Sequence, residues 1–183
     1  MTGRPDCAQF ETGSKHSLSA AAAVLVGILT GCGSSSPSGL PLNGWLSHKA
    51  GQRAVTVTLV PGYNDVYNGF NFNGYGKGEV LVSVPRGWRV TVRCENTRSK
   101  ERHSCAVVRG AGSARPAFPG AASPNPRAGL AAGQSASFSF TADALGTYRL
   151  ACLVAEHERA GEWDVLEVTR TRLPAVRLLR APS

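Results

Sequence analysis

Apolar and polar residues alternate with a period of two along most of the chain from about residue 55 to residue 169, which is the pattern of strands that bury one face. Pro61 with Gly62, and Pro85 with Gly87, interrupt the alternation at predicted turns. No segment has a helical period long enough to compete. The pattern therefore predicts an all-β fold of about eight strands, packed as a two-sheet sandwich. The predicted strands cover residues 55–60, 69–75, 79–84, 88–94, 103–108, 135–140, 148–154 and 163–169.

The chain begins differently, with a polar start and an apolar run over residues 18–29. That run is shorter than the roughly 20 residues of a membrane-spanning helix and is typical of the core of a signal peptide. The tetrapeptide that ends at Cys32 resembles the lipobox of bacterial lipoproteins, in which the cysteine carries the lipid. We expect a lipoprotein signal peptide over residues 1–31. The alternative is an ordinary secretory signal with a chance cysteine.

The composition of the chain after the predicted signal peptide divides it into three segments. Residues 33–39 are rich in glycine, serine and proline, which favours a flexible tether. We predict a tether over residues 32–50, one domain over 51–170 and a basic C-terminal tail over 171–183. The proline-rich stretch 110–133 is predicted as a long loop, either functional or a surface cover over the sandwich.

The chain has a formal net charge of +8. Such a charge could attract an acidic redox partner or an anionic membrane surface. For an exported protein it does not indicate nucleic acid.

Cys152, His157 and Glu162 follow a predicted strand at five-residue intervals. This spacing matches neither a helix face nor a strand face, so the three groups converge only if the segment loops around a common point. A thiolate with an imidazole favours copper or zinc over calcium or magnesium. His103, at the start of another predicted strand, is the best candidate for a further ligand. The alternative for His103 alone is a hydrogen-bonded core histidine.

The phase of the predicted strands places these residues on buried faces. His103 and Cys152 lie at the ends of such faces and are expected to meet at one pole of the sandwich. Cys94 and Cys105, eleven residues apart, also face the core. In an oxidising exported compartment we expect a disulfide bond between them, with two buried free thiols as the alternative.

The order of these motifs resembles that of the cupredoxins, the small blue copper proteins, and most closely the sulfocyanin group. The resemblance covers about residues 55–169. It implies a Greek-key β-sandwich or barrel and one copper ion bound by His103, Cys152 and His157. Glu162 stands where the family pattern has an axial methionine. The stretches that carry the resemblance are residues 70–75, 84–88, 103–104, 146–148, 152 and 161–164.

From this resemblance together with the lipobox-like segment, which predicts the membrane anchor, we expect a membrane-anchored, mononuclear copper protein that carries single electrons. The resemblance implies respiratory donors and a terminal oxidase as its partners. We expect it at the extracytoplasmic face of the cell membrane, as a monomer. The sequence has no Ser-His-Asp arrangement, phosphate loop or carboxylate pair that indicates hydrolysis, so we do not expect an enzyme.

Glu162 leaves two alternatives open. Two histidines, one cysteine and one carboxylate also suit a tetrahedral zinc site, which would make the protein a zinc-binding or copper-binding storage lipoprotein on a cupredoxin scaffold. Red copper proteins also resemble cupredoxins and carry a carboxylate ligand, so a red copper site is the second alternative.

Overall fold

The alternating segments form two β-sheets that face each other across one core. The computed structural model describes residues 39–179. Besides the strands, this part of the chain has one single-turn α-helix, α1 (His157–Ala160), and three short 3-10 turns. The strands are β1 (Leu46–Lys49), β2 (Ala54–Leu59), β3 (Val80–Pro85), β4 (Arg89–Glu95), β5 (Ala106–Val108), β6 (Ser135–Thr141), β7 (Gly146–Ala151), β8 (Trp163–Thr169) and β9 (Ala175–Leu178).

The first sheet has the strand order β1-β2-β4-β6, and the second has the order β5-β7-β8-β3-β9. Two neighbouring pairs, β2 with β4 and β3 with β8, are parallel. The other pairs are antiparallel. The prediction of an all-β sandwich is therefore confirmed.

Alternate residues of each central strand point into the core, as the sequence pattern requires. In β2 the residues Val55, Val57 and Leu59 are buried, while the threonines between them are partly exposed. In β4, Val90 and Val92 are fully buried between exposed or half-buried polar residues. Each such aliphatic side chain contributes about 1.5–3 kcal/mol through burial.

Two edge strands lie outside the predicted domain of residues 51–170. β1 falls within the predicted tether and pairs with β2, and β9 falls within the predicted basic tail and pairs with β3. The domain is therefore longer at both ends than the sequence indicated. Neither edge strand has an alternating buried face, because backbone pairing rather than burial holds both, and a hydrophobic pattern cannot reveal that.

Residues 69–75, predicted as a strand, form a series of turns. Asn68 and Asn73 have left-handed backbone conformations, with φ of 56° each. The buried Asn73 side chain accepts a hydrogen bond from the Val60 amide (2.6 Å) and donates one to the Thr58 carbonyl (2.9 Å). These side-chain bonds satisfy backbone groups that a strand partner would otherwise pair.

The long loop over residues 110–133 covers the sandwich and also supports its pole. The Phe118 ring is buried in the core and stacks on Phe140 with 4.9 Å between ring centroids. Near its end, Leu130 exchanges two backbone hydrogen bonds with His103, of 2.6 and 3.1 Å. The loop thereby fixes the backbone of a predicted ligand.

A disulfide bond joins Cys94, in β4, to Cys105, just before β5, with 5.8 Å between the Cα atoms. This bond links the two sheets beside the pole where His103 lies. Cys152 is a free, buried thiol.

The predicted signal peptide over residues 1–31, the lipid-bearing Cys32 and most of the predicted tether lie outside the described residues. Within residues 39–179, no helix has the length and apolar character needed to cross a membrane.

Candidate metal centre

The structure brings His103, Cys152, His157 and Glu162 together at one pole of the sandwich. One ligand atom from each lies within 4.8 Å of the others, and all four residues are buried. His103 lies between β4 and β5, and Cys152 directly follows β7. His157 begins α1, and Glu162 directly precedes β8.

The three residues at five-residue intervals converge because the segment from Cys152 to Glu162 forms one tight loop that contains α1. The helix ends at Ala160 and is followed by Gly161, whose φ of 141° favours glycine. The amides of Gly161 and Glu162 both donate to the carbonyl of His157, at 3.1 and 3.0 Å. The loop closes where the Cys152 amide donates to the Glu162 carbonyl (3.1 Å).

The Glu162 carboxylate lies between the two imidazoles. Its oxygens are 2.8 and 2.9 Å from Nδ1 of His103, and its Oε2 is 3.0 Å from Nδ1 of His157. The same His157 nitrogen is 3.5 Å from Sγ of Cys152. Glu162 Oε1 is fully buried against Nδ1 of His103. Both histidines thus direct Nδ1 toward the thiol and the carboxylate.

Ser99 orients the His103 ring from the other side. Its hydroxyl lies 2.9 Å from Nε2 of His103 and also accepts a hydrogen bond from the Glu101 amide (3.0 Å). Gly62 lets these groups approach, because a Cβ at that position would lie 2.5 Å from the Ser99 Cβ and 3.2 Å from His103 Nε2. With Nε2 donating to Ser99, the lone pair of Nδ1 is left for a metal ion. Sequence reasoning missed Ser99, and no spacing or motif indicates it.

Ser104 contacts the Cys152 thiol. Its amide donates to Sγ at 3.2 Å, and its hydroxyl lies 3.6 Å from the same sulfur while accepting the Leu153 amide at 2.8 Å. These bonds lower the electron density on a thiolate and fix its position. The His103-Ser104 pair was visible in the sequence, but the role of the serine was not.

Burial controls the protonation of all four groups. Burial lowers the pKa of His103 to about 4, with a smaller contribution from His157. Burial also lowers the pKa of His157, and the nearby Glu101 opposes this effect. Both imidazoles are therefore neutral ligands at neutral pH.

The pKa values of the thiol and the carboxyl shift upward, whereas those of the two imidazoles shift downward. Burial raises the pKa of Glu162 well above its usual value, and burial together with the Glu162 charge raises the pKa of the Cys152 thiol. A bound cation reverses this because its positive charge favours the deprotonated forms.

The cluster fits a copper or zinc ion. Ligand atoms around one such ion at about 2.0–2.3 Å lie at most about 4.6 Å apart, so side-chain movements on the order of 0.5 Å would seat the four donors. Two imidazole nitrogens and a thiolate favour these metals over calcium or magnesium. The Glu162 carboxylate, buried beside Nδ1 of His103, offers a further ligand atom to the ion.

His157 is the member of the cluster nearest to solvent. Its side chain is 11% exposed, against 1% for His103 and 0% for Glu162. The half-buried Phe70 ring packs edge-on against it, with 4.7 Å between ring centroids. The edge of His157 is therefore the part of the cluster that lies closest to solvent.

Solved structures similar to this chain include three cupredoxins. Dithionite-reduced auracyanin from Roseiflexus castenholzii is 24% identical, the match covers 62% of this chain and 96% of that one, and the TM-score is 0.43. Auracyanin A from Chloroflexus aurantiacus is 25% identical, with coverages of 63% and 99% and a TM-score of 0.44. Reduced rusticyanin is 19% identical, with coverages of 64% and 85% and a TM-score of 0.44.

No curated protein sequence matches the chain significantly. Residues 41–174 match the family model of the sulfocyanin (SoxE) domain, and this match includes all four members of the cluster. The chain therefore belongs to the sulfocyanin (SoxE) domain family.

Proposed function

We propose that this protein is a membrane-anchored, mononuclear copper protein that carries single electrons between respiratory redox partners outside the cytoplasm. Its family is a cupredoxin family, and cupredoxins bind one copper ion. The observation that carries the proposal is the buried convergence of His103, Cys152, His157 and Glu162 at one pole.

A copper ion bound there would take up and release one electron, alternating between Cu(II) and Cu(I). His103, His157 and Cys152 would hold it, with Glu162 as the fourth donor. Ser99 and Ser104 restrain two of these ligands by hydrogen bonds. Ligands held in this way change position little when the charge of the ion changes, which favours fast electron transfer.

Burial of the cluster favours a carrier over an enzyme. Cys152, at 1% exposure, and Glu162, at 0%, are almost completely enclosed by the protein. His157 is also buried, and the half-buried Phe70 ring packs edge-on against it. This arrangement suits transfer of an electron through a ligand edge, and it leaves little room for a substrate to bind the ion directly.

The location and partners rest on the sequence. The lipobox-like segment that ends at Cys32 supports a lipid anchor at the extracytoplasmic face of the cell membrane. The sulfocyanin resemblance supports respiratory donors and a terminal oxidase as partners.

A second candidate function is zinc or copper storage without electron transfer. Glu162 favours it, because a fully buried carboxylate within 3.0 Å of both imidazole nitrogens completes a set of two histidines, one cysteine and one carboxylate. The same carboxylate could instead give a copper site with the red colour of a carboxylate-ligated centre.

Optical and metal analysis of the full chain tests these functions. We expect Cu(II) to produce an intense visible band from thiolate-to-copper charge transfer, which a reductant bleaches reversibly. Cys152→Ser should abolish this band. A colourless protein that retains zinc in competition with copper would support storage, and a copper protein without a reversible one-electron couple would contradict the carrier.

Glu162→Met distinguishes a copper site in which the Glu162 carboxylate binds the ion from one in which it does not. A carboxylate is a hard anionic ligand that favours Cu(II), so its replacement by a thioether should raise the reduction potential and make the site bluer. Glu162→Gln is the matched variant, since it keeps the size of the side chain without its charge. If this variant keeps the spectrum and the potential of the wild type, Glu162 does not bind the copper.

A further inference from the structure

Four exposed cations surround one side of the metal-centre pole. Arg98, Lys100 and Arg102 lie on the loop between β4 and β5, and Arg127 lies on the long loop beside it. We call these four residues the basic rim. Within residues 39–179, none of them forms an ion pair with a carboxylate. Glu101 is the one acidic residue between the rim residues of the first loop.

Contacts hold two of these cations in place without neutralising them. The Arg102 guanidinium donates hydrogen bonds to the carbonyls of Ala128 and Gly129, both at 2.7 Å, and so ties the two loops together. The Arg98 guanidinium lies over the Tyr63 ring, 4.4 Å from its centroid. Bonds to neutral partners leave the positive charge available to another molecule, while they reduce the entropy that the side chain loses on binding.

The basic rim adjoins the cluster itself. Ser99, between Arg98 and Lys100, bonds to the His103 ring, and Leu130, three residues after Arg127, pairs with the His103 backbone. The His103 ring in turn packs edge-on against the His157 ring, with 5.0 Å between ring centroids. A molecule that binds the rim therefore lies beside the one cluster residue with access to solvent.

We propose that a redox partner docks an acidic protein surface on the basic rim and exchanges its electron through the adjacent His157 edge. This inference rests on the proposed function and names the partner chemistry of that site. Charge complementarity accelerates encounter and orients the two proteins. A membrane surface is the poorer occupant of this face, because lipid over the rim would cover the His157 edge and block every partner.

The rate of a one-electron reaction with charged reagents measures this electrostatic field. The full chain, loaded with Cu(I), is mixed with anionic hexacyanoferrate(III), which accepts one electron as the copper becomes Cu(II). The cationic oxidant tris(phenanthroline)cobalt(III) is the reagent of opposite charge. For the wild type, the hexacyanoferrate rate constant should fall as ionic strength rises, and the cobalt rate constant should rise.

The variant that tests the basic rim reverses the charge of two of its residues. Arg98→Glu with Lys100→Glu should lower the hexacyanoferrate rate constant at low salt by about tenfold and remove its fall with salt. The matched control is Lys49→Glu with Arg89→Glu. These two exposed residues flank Ala54 at the far end of the first sheet, and their reversal changes the net charge equally. The control should change the rate less than about twofold, since the charges lie beyond a Debye length of roughly 10 Å.

Equal losses in the two double variants would overturn the proposal, because steering would then follow net charge and not the rim. An unchanged rate in the rim variant would overturn it as well. The wild-type spectrum and reversible couple are measured first, so a failure of the copper-carrier function appears there, before any variant is compared.

A binding measurement on the same chain does not depend on electron transfer. Nuclear magnetic resonance of the Cu(I)-loaded full chain, titrated with poly-L-glutamate, should shift amide signals around residues 62–64, 98–103 and 127–130. Shifts confined to the end of the sandwich near Arg89 would overturn the assignment. If anionic phosphatidylglycerol vesicles shift the rim signals and poly-L-glutamate does not, the face binds a membrane and the proposal is wrong.

Discussion

Ser99 gives the clearest case of a residue that acts on the cluster without belonging to it. Its hydroxyl lies 2.9 Å from Nε2 of His103 and accepts the Nε2 proton in the tautomer that leaves Nδ1 free for a metal ion, while Nδ1 itself lies against Glu162. Such outer hydrogen bonds fix the tautomer and orientation of a metal-binding imidazole. Ser99 is therefore a positioning residue in our proposal for the copper site.

Ser99→Ala should weaken copper binding by roughly tenfold to a hundredfold and shift the reduction potential, because His103 loses the partner that holds its ring. Copper affinity and the electron paramagnetic resonance spectrum of the Cu(II) form measure the two effects. Ser99→Thr keeps the hydroxyl and should restore the wild-type spectrum. Ser113→Ala, on an exposed loop, is the control. An alanine variant with unchanged affinity, potential and spectrum would contradict the role.

At the residue scale, the four members of the cluster could be predicted from the sequence, while their surroundings could not. Cys152, His157 and Glu162 lie in one short segment, so their spacing alone indicated a loop. Ser99 and Ser104 act through contacts that depend on the path of the chain in three dimensions. Serine is common in loops, and nothing in its spacing distinguishes these two from others.

His103 is positioned by the two strands on either side of it, β4 and β5. Val90 and Val92 bury the inner face of β4, and Cys94 is bonded to Cys105, two residues after His103. The disulfide bond thus connects a strand of the first sheet to the ligand-bearing segment of the second. It closes a short loop, and it should stabilise the domain by about 2–3 kcal/mol.

We expect Cys94→Ala and Cys105→Ala each to lower the free energy of unfolding by about that amount, with a further cost for the lost side chain. The double variant should lose less than the sum of the two single losses, because both remove the same bond. Denaturant unfolding of the metal-free full chain measures this. Strictly additive losses, with peptide mapping that finds no Cys94–Cys105 link, would contradict the bond.

At the element scale, the sequence pattern indicated the buried strands correctly and missed those held by backbone pairing alone. β2, β4, β6 and β8 lie close to their predicted bounds because each has a buried face. β1 and β9 pair at sheet edges and bury little, so their sequences resemble loops. The turns over residues 69–75 contain apolar residues that mimic a strand, and the buried asparagines of this segment decide its conformation.

At the scale of the whole molecule, the chain enters the domain close to the metal-centre pole. The Leu40 amide donates to the Asn73 carbonyl, and Asn71, two residues earlier, bonds through its own carbonyl to the Gly62 amide beside His103. In our proposal, a lipid on Cys32 would attach the chain to the membrane seven residues before Gly39, where the described domain begins.

Cys32→Ala tests this anchoring. Without the thiol there is no attachment point for lipid, so the protein should move from the membrane fraction to the soluble exported fraction. Its copper spectrum should stay unchanged, because Cys32 lies outside the domain that holds the cluster. Cys7→Ala is the matched control. This variant likewise removes one cysteine, but Cys7 lies in the predicted signal peptide and precedes the apolar run, so the location should not change.

Fractionation of cells that express each variant, with immunodetection of the protein and mass analysis of its mature N-terminus, measures the outcome. Lipid on Cys32 of the wild type should add the mass of acyl chains at that residue. One myristoyl-sized chain binds a membrane only marginally, whereas a lipoprotein with two or three chains stays bound, so release by Cys32→Ala should be nearly complete. If Cys32→Ala remains fully in the membrane fraction, another segment, such as an uncleaved apolar run over residues 18–29, anchors the chain, and the lipoprotein interpretation is wrong.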